Sequence, residues 1–426
     1  MKIFKLYYFF PIFLITGPFL PDLMVSTSSL FFLYYFYKNE KDYLKINFFY
    51  LFIIINLVFI ISSLNSYNLI FSLKSSLPYL RIFIFPIIIY YLLEKKIINL
   101  NVCFKILITV VLFLSLDGLF QFLYGVNILG FKSPLNYRVT GFFGDEAILG
   151  SYLSKIIPLI ISIYIFLNYK KDEKINVVFL ITIFFGILCI FLSGDRMPFG
   201  TIILYLLLIN LFSFNLKKFI ASSFLVFFIL TLLFSNNLLK NRYINMTLLQ
   251  LFEKDITEIN QEKNYIDQDN IKKKINFDYS NILNSKILFF SKSHNEHFKS
   301  AYSIFKKNKI IGSGPNTFRI NCYPKFYEHS HKCSSHPHNI YLQLLAEVGI
   351  VGILILLSFL IFFIYKVFEG VKLRNKSQIY IFIHLFVMIF PISTYGNFFN
   401  NFNSIILFYP IGFYIYILSK SNYKSK

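Results

Sequence analysis

Tryptophan does not occur in this chain, cysteine occurs only four times, and 21 acidic residues face 42 lysines and arginines. Each scarcity excludes something. Without tryptophan, the aromatic belt that holds a membrane protein at the headgroup level must come from tyrosine alone. Of the four cysteines only Cys322 and Cys333 are closely spaced in polar sequence, so disulfides cannot be the general scaffold. The shortage of acids leaves a net charge of +21. A nucleic-acid partner is one reading of that charge. The preferred reading is the positive-inside rule acting on a chain dominated by Phe, Ile, Lys, Asn and Tyr, as AT-rich coding gives, so no nucleic acid is expected. The Phe4–Leu20 run lacks a small-residue cleavage site and reads as an anchor rather than a removable signal. No internal repeat is visible.

What the chain has in excess is apolar sequence, 56% hydrophobic with a mean hydropathy of +0.60. It comes in blocks long enough to cross a bilayer. About twelve spans are expected, near 4–20, 22–37, 46–64, 77–93, 97–124, 148–168, 176–193, 198–214, 218–235, 340–365, 377–394 and 403–419. The fold class is therefore all-α, a polytopic transmembrane bundle. Residues 1–235 hold nine spans, 236–337 form one large loop containing short helices, and 338–426 hold three more. Lys38/Lys41/Lys45, Lys95/Lys96, Lys170/Lys171/Lys174, Lys217/Lys218 and Lys372/Arg374/Lys376 fall on the same side as both termini. The opposite short loops carry chiefly Lys74, Lys132, Arg138 and Arg196. Both termini are thus expected in the cytoplasm and the large loop outside, in the periplasm or its equivalent.

Six of the seven histidines lie between His294 and His338. His336 and His338 close the run Ser334-Ser335-His336-Pro337-His338-Asn339, where Asn339 is a good N-cap for a helix beginning at Ile340. The positive end of that helix disfavours imidazolium and attracts phosphate, which suits a general base beside an anionic substrate. The plainer alternative is a pair of solvated loop histidines. Arg196, in the tight outside turn Leu192-Ser193-Gly194-Asp195-Arg196-Met197-Pro198, would clamp a diphosphate or simply meet lipid headgroups. Arg319 follows the turn Gly312-Ser313-Gly314-Pro315, a weak phosphate signal on its own. Arg138 is a third outside arginine.

Asp117 and Gln121 share a helix face, and Glu347, two and a half turns past His338, is a functional candidate because acids inside membrane helices are costly. His384 reads as a packing histidine. Cys322 and Cys333 favour a disulfide in an oxidising compartment, with zinc shared with His329 and His331 as the rival. Asp267-Gln268-Asp269 imitates the metal-binding Asp-x-Asp of some glycosyltransferases but lies in a charged stretch of low order. Phe298, Ala301, Tyr302 and Phe305 have helical spacing suited to lying along a membrane surface.

Phe318-Arg319 with Cys322, then Cys333-Ser334-Ser335-His336-Pro337-His338-Asn339-Ile340-Tyr341-Leu342, then Glu347-Val348-Gly349-Ile350-Val351-Gly352, resembles the signature of the bacterial O-antigen ligase and O-antigen polymerase superfamily. Gly312-x-Gly314-Pro315-Asn316 is similar to its glycine turn, and the Arg138 and Arg196 regions to its outside motifs. The resemblance implies a metal-independent, inverting glycosyl transfer at the outer face of a bacterial inner membrane, in lipopolysaccharide or surface-polysaccharide synthesis, without a cofactor. It implies as partners an undecaprenyl-diphosphate-linked glycan donor, a glycan or lipid A-core acceptor, membrane lipids and a chain-length regulator protein. His338 would be the base, with His336 beside it; Arg196, Arg319 and Arg138 would hold diphosphate; Asn339, Glu347, Gly312 and Gly314 would support. Ligases of the superfamily carry a further arginine where this chain has Ser293-His294-Asn295-Glu296-His297, so His294, His297 or Arg319 would stand in, and the pattern tilts toward polymerase-like members. The alternatives are an O-linked protein oligosaccharyltransferase and a non-catalytic transporter of the same lipid-linked glycan.

Overall fold

The computed structural model describes residues 2–39, 47–133, 138–168, 176–213, 228–229, 231–251, 291–322 and 333–424. Among them there is no strand, only an isolated bridge between Val126 and Lys132. After a tight helical lead-in at Lys2–Phe9 come α1 (Phe19–Asn39), α2 (Asn47–Leu64), α3 (Leu69–Ser76), α4 (Leu80–Glu94), α5 (Leu100–Tyr124), α6 (Leu149–Leu167), α7 (Val177–Leu192) and α8 (Arg196–Phe212). They are followed by α9 (Lys292–Lys307), α10 (Ile340–Glu347), α11 (Gly349–Lys372), α12 (Lys376–Met388) and α13 (Asn401–Lys424). Among the described residues five helices are long and apolar enough to cross a membrane: the α3–α4 run, α5, α6, α11 and α13. Shorter apolar helices fall at Phe49–Leu64, Val177–Leu192, Arg196–Phe212 and Lys376–Met388. The expected span 218–235 lies mostly outside the described residues, as do Asp267, Asp269, His329 and His331.

The bundle is organised around α6, which packs against α5, α7, α8, α12 and α13. Leu149, Leu153, Ile156, Ile157 and Ile160 are fully buried along it. In lipid, where apolar tails offer no hydrophobic gain, close packing through small residues holds helices together. Gly118 of α5 supplies one such contact, since a Cβ there would meet Cys189 Sγ of α7 at 2.5 Å. Gly186 supplies another, against Ile157 at 2.7 Å. The free cysteines Cys103 and Cys189 are both buried. In contrast, α11 has little of its apolar surface covered, and Ile350, Leu354, Ile361 and Phe362 point outward. A face of that kind is solvated by lipid rather than water.

Two expected spans are not single helices: the 4–20 run is a 3₁₀ helix at Lys2–Phe9 and a short helix at Phe10–Phe13 that end before Gly17 (φ +108°), and the second lies at α10. The span expected at 340–365 is two helices, broken at Val348-Gly349, where Gly349 takes a φ of +74°. Backbone crossing is the cause. Ser313 N–H donates to the Ala346 carbonyl at 3.0 Å, Gly314 N–H to the Glu347 carbonyl at 2.8 Å, and Ile350 N–H to the Lys309 carbonyl at 2.9 Å. A chain can pass this close to another only where both lack a Cβ, and Gly312 and Gly349 meet that need. The amphipathic reading of residues 298–305 also shifts: α9 buries His297, Ser300, Ala301 and Ile304 against its neighbours, while Tyr302 is exposed. Small residues at 300 and 301 let α9 lie close on α10, and Cys322 and Phe318 complete that cluster.

Candidate functional site

The fold gathers four imidazoles. His336 and His338 have ring centroids 4.2 Å apart, and His338 lies 5.4 Å from His294 and 5.3 Å from His297, both on α9. Asn339 caps α10, its side-chain oxygen accepting from Tyr341 and Leu342 N–H at 3.0 and 3.1 Å. Its amide nitrogen donates to the Pro391 carbonyl at 2.8 Å. His338 itself has a φ of +60°, a strained conformation for a side chain of this size. Strain of this sort persists only where surrounding bonds impose it. Here Tyr395 N–H donates to the His338 carbonyl at 2.8 Å.

The two neighbouring histidines differ in what they have left to offer. His336 is buried, with Nδ1 2.8 Å from the Ser335 hydroxyl and Nε2 3.2 Å from the Tyr395 carbonyl. A carbonyl only accepts, so Nε2 carries the proton and both nitrogens are occupied. His338 is half-buried and makes no ring hydrogen bond among the described residues.

Burial first, and then the fields of His336, His294 and His297, push the His338 imidazole down to about 3. His336 is held down to about 4, again mainly by burial, with Arg319, His297 and His294 adding to it against the opposing bond to Tyr395. Because both folded pKa values lie below the unfolded 6.5, the unfolded chain takes up protons first as pH falls, and stability declines from about pH 6.5 downward. The base form survives that interval. Transfer assayed in membrane vesicles should therefore stay flat from about pH 8 to 6 and fall only as the fold is lost. A half-maximal point near 6.5 would show an imidazole exposed to water instead.

The predicted arginines separate. Arg138 forms an ion pair with Asp195 and reaches the Ala147 carbonyl. Arg196 Nη1 donates to the Thr247 hydroxyl at 2.8 Å. Beside them is an arginine the sequence reading missed: Arg242 Nε donates to the Gly194 carbonyl at 2.9 Å, and Tyr243 O–H to the Phe191 carbonyl at 2.6 Å. Arg242, Arg138 and Arg196 all act electrostatically on Tyr243, which places three guanidiniums around the 193–196 turn. Arg242 was overlooked because it follows the Asn-rich run Ser235-Asn236-Asn237; the signal available was that arginine is rare in a lysine-rich chain. Arg319 is exposed and lines a different cavity of about 440 Å³ with Lys74, Arg81, Asn316, Asn397 and Asn400.

The supporting residues build the frame. Glu347, fully buried, accepts from Phe318 N–H at 2.8 Å and from Gln343 Nε2 at 3.0 Å. Gln343 also donates to Asn397 Oδ1 at 2.7 Å, and Ser62 O–H to the Glu347 carbonyl at 2.6 Å. Glu347 therefore fastens the glycine turn to α10 and the 393–400 loop rather than touching His338. The turn's own amides at Ser313 and Gly314 are spent on α10 carbonyls, so the glycines serve close packing and not a phosphate cradle. Asp117 and Gln121 organise the outside loop before Arg138. Asp117 accepts from Ile128 N–H at 2.9 Å, and Gln121 from Thr140 and Gly141 N–H at 2.8 and 2.7 Å.

Cys322 and Cys333 form a disulfide, Cα atoms 5.1 Å apart, that closes the segment next to His336. No group of three or more His, Cys, Asp or Glu among the described residues is arranged to hold a metal ion. A second residue missed by the sequence reading is Lys155, a lysine inside an expected span. It lines a cavity with His384, Ser393 and Tyr395.

A helical membrane protein is thus defined, with a cluster of four buried and half-buried histidines next to a helix mouth and a set of arginines at the 193–196 turn. Residues 178–357, a little under half the chain, match the family described as O-antigen ligase, which supports the O-antigen ligase and polymerase superfamily as its class. That match covers the Arg196 turn and the whole 310–352 block. It points to glycosyltransferase-type activity in general terms. No curated protein matches the chain.

Proposed function

We propose that the chain transfers glycan from a polyprenyl-diphosphate-linked donor to a sugar hydroxyl, as a polymerase-type member of the superfamily. The observation that carries this is the unequal state of the two histidines: His336 has both ring nitrogens bonded to protein, whereas the His338 ring makes no hydrogen bond among the described residues and its imidazole is held neutral. His338 removes the proton of the acceptor hydroxyl as that oxygen attacks the anomeric carbon from the face opposite the diphosphate. The anomeric C–O bond breaks with inversion, and its electron pair leaves on the diphosphate. Arg196, Arg242 and Arg138 supply the positive charge that stabilises the leaving group, a role in which guanidinium pairs well with phosphate. His336, bonded to the 395 main chain, fixes the position of His338.

In this reading about twelve spans carry the chain across an inner membrane, with both termini cytoplasmic and the 236–337 segment in the periplasm. An almost entirely apolar cavity of about 190 Å³ beside α10, lined by Ile340, Leu344, Phe359, Phe398 and Phe408 among others, suits a prenyl chain. The test is a deletion strain examined on a polysaccharide gel. Lipopolysaccharide carrying single repeat units is the expected outcome. Bare core with accumulated lipid-linked polymer would make the chain a ligase, and an unchanged ladder would overturn the assignment.

A further inference from the structure

Beneath the loop that carries Tyr395 lies a polar cavity of about 80 Å³ inside the bundle, several times what one ordered water needs. Lys155 and Ser151 of α6, Thr201 and Tyr205 of α8, His384 of α12 and Ser393 line it. Lys155 Nζ donates to Ser151 Oγ at 2.7 Å and to the Ser151 carbonyl at 3.2 Å, and sits 5.7 Å from the Tyr395 ring centroid. It makes no ion pair among the described residues. A cation taken out of water without a counter-ion is expensive, and in a membrane bundle it marks a functional site by default.

Four further polar atoms belonging to residues of the lining have no hydrogen-bond partner among the described residues: Tyr205 Oη, His384 Nε2, Ser393 Oγ and Tyr395 Oη. His384 Nδ1 is 2.5 Å from the Tyr414 hydroxyl, and with Tyr414 donating there, Nε2 carries the ring proton. The lining then offers an ammonium that makes no ion pair among the described residues, together with an imidazole N–H and three hydroxyls that have no hydrogen-bond partner there. All of them can donate and all belong to residues that line this one cavity, so the partner that fits is an acceptor with several oxygens and negative charge.

We propose that this cavity is an oxyanion-binding subsite that receives a phosphate-type group, with Lys155 as its cation. The site stands between the two halves of the machinery described above. Met197 and Pro198, next to Arg196, form one wall, and Ser393 to Gly396 form another. Through its main chain Tyr395 also holds His336 and His338. The proposal rests on the glycosyl-transfer reading only in placing the subsite beside the reacting groups. The phosphate belongs either to a lipid headgroup or to a free ion, and the chemistry of the lining is the same for both.

The experiment is equilibrium titration of the purified full chain in detergent with inorganic phosphate, inorganic diphosphate and a polyprenyl diphosphate in separate arms. Wild-type protein and Lys155→Met, Lys155→Arg and His338→Ala are compared. At least a tenfold loss of affinity is expected in Lys155→Met, with most of it restored in Lys155→Arg and none lost in His338→Ala. Binding of the lipid alone identifies the headgroup as the source; equal binding of the inorganic ions identifies a free oxyanion. Should Lys155→Met not fold, Ser393→Ala and Tyr395→Phe are titrated instead, with a several-fold loss expected. Wild-type affinity in these variants, or no binding in any arm, overturns the subsite. If His338→Ala still transfers glycan, the transferase reading fails while the titration continues to decide the subsite.

Discussion

Replacing His338 with alanine should cost transfer at least about 100-fold, the lower end of what a positioned general base contributes. Long-chain polysaccharide should disappear while the amount of protein in the membrane stays the same. The second part matters as much as the first. The His338 ring makes no hydrogen bond among the described residues, and its structural contribution runs through its carbonyl, which alanine retains. The strained φ of +60° remains after the substitution, so some loss of thermal stability is compatible with the assignment. His336→Ala is different in kind. It empties a buried position bonded to Ser335 and Tyr395 and should lower both activity and stability. A His338→Ala protein that still produces wild-type chain-length patterns would remove the histidine from the chemistry.

Gly312→Ala should be, with Gly349→Ala, among the most damaging single methyl additions at the described residues. The φ of Gly312 is +71°, and a Cβ would fall 2.4 Å from the Glu347 carbonyl carbon and from Val348 N, both main-chain atoms that cannot rotate away. The left-handed conformation itself costs about 1 kcal/mol for a residue with a side chain. The steric conflict adds more, because it forces apart the bonds from Ser313 and Gly314 to α10. A total above about 4 kcal/mol is expected, which places the variant among the exceptional destabilisers. It should be read as loss of folded protein from the membrane fraction, or as a large fall in Tm in detergent. Gly200→Ala is the control. Nothing lies within 4 Å of a Cβ there, and inside α8 alanine should be neutral or stabilising. Equal behaviour of the two variants would show that the crossing of 309–314 with 346–351 is not what holds this end together.

The helical, membrane-embedded character was legible because apolar runs of this length have no other common explanation. The 310–352 block was legible because Asn339, His338, Glu347 and the glycines are local in sequence. Lys155 was missed because attention went to acids and histidines in the spans, although a lysine in such a run is as costly. Arg242 and Arg196 are brought to one turn by side-chain and main-chain contacts across 45 residues of intervening chain, a tertiary pairing that periodicity and spacing do not encode. The break at Gly349 escaped for a similar reason. Its cause is the approach of another segment, and the local sequence Glu347-Val348-Gly349-Ile350-Val351 reads as continuous helix. Glu347 was noticed as an intramembrane acid, but its partners at Phe318 and Gln343 gave it a different task from ordering the histidine.

Much of this site is held through main-chain atoms: the carbonyls of Tyr395, Pro391, Ala346, Glu347, Gly194 and Phe191 all accept from groups that frame it. A carbonyl is the same whichever residue bears it. Substitutions at these positions can accumulate over descent without moving the base or the arginines, provided the backbone path survives. The architecture is therefore free to outlast its own sequence, and the rings and amides on the scaffold can be exchanged while its geometry is inherited unchanged.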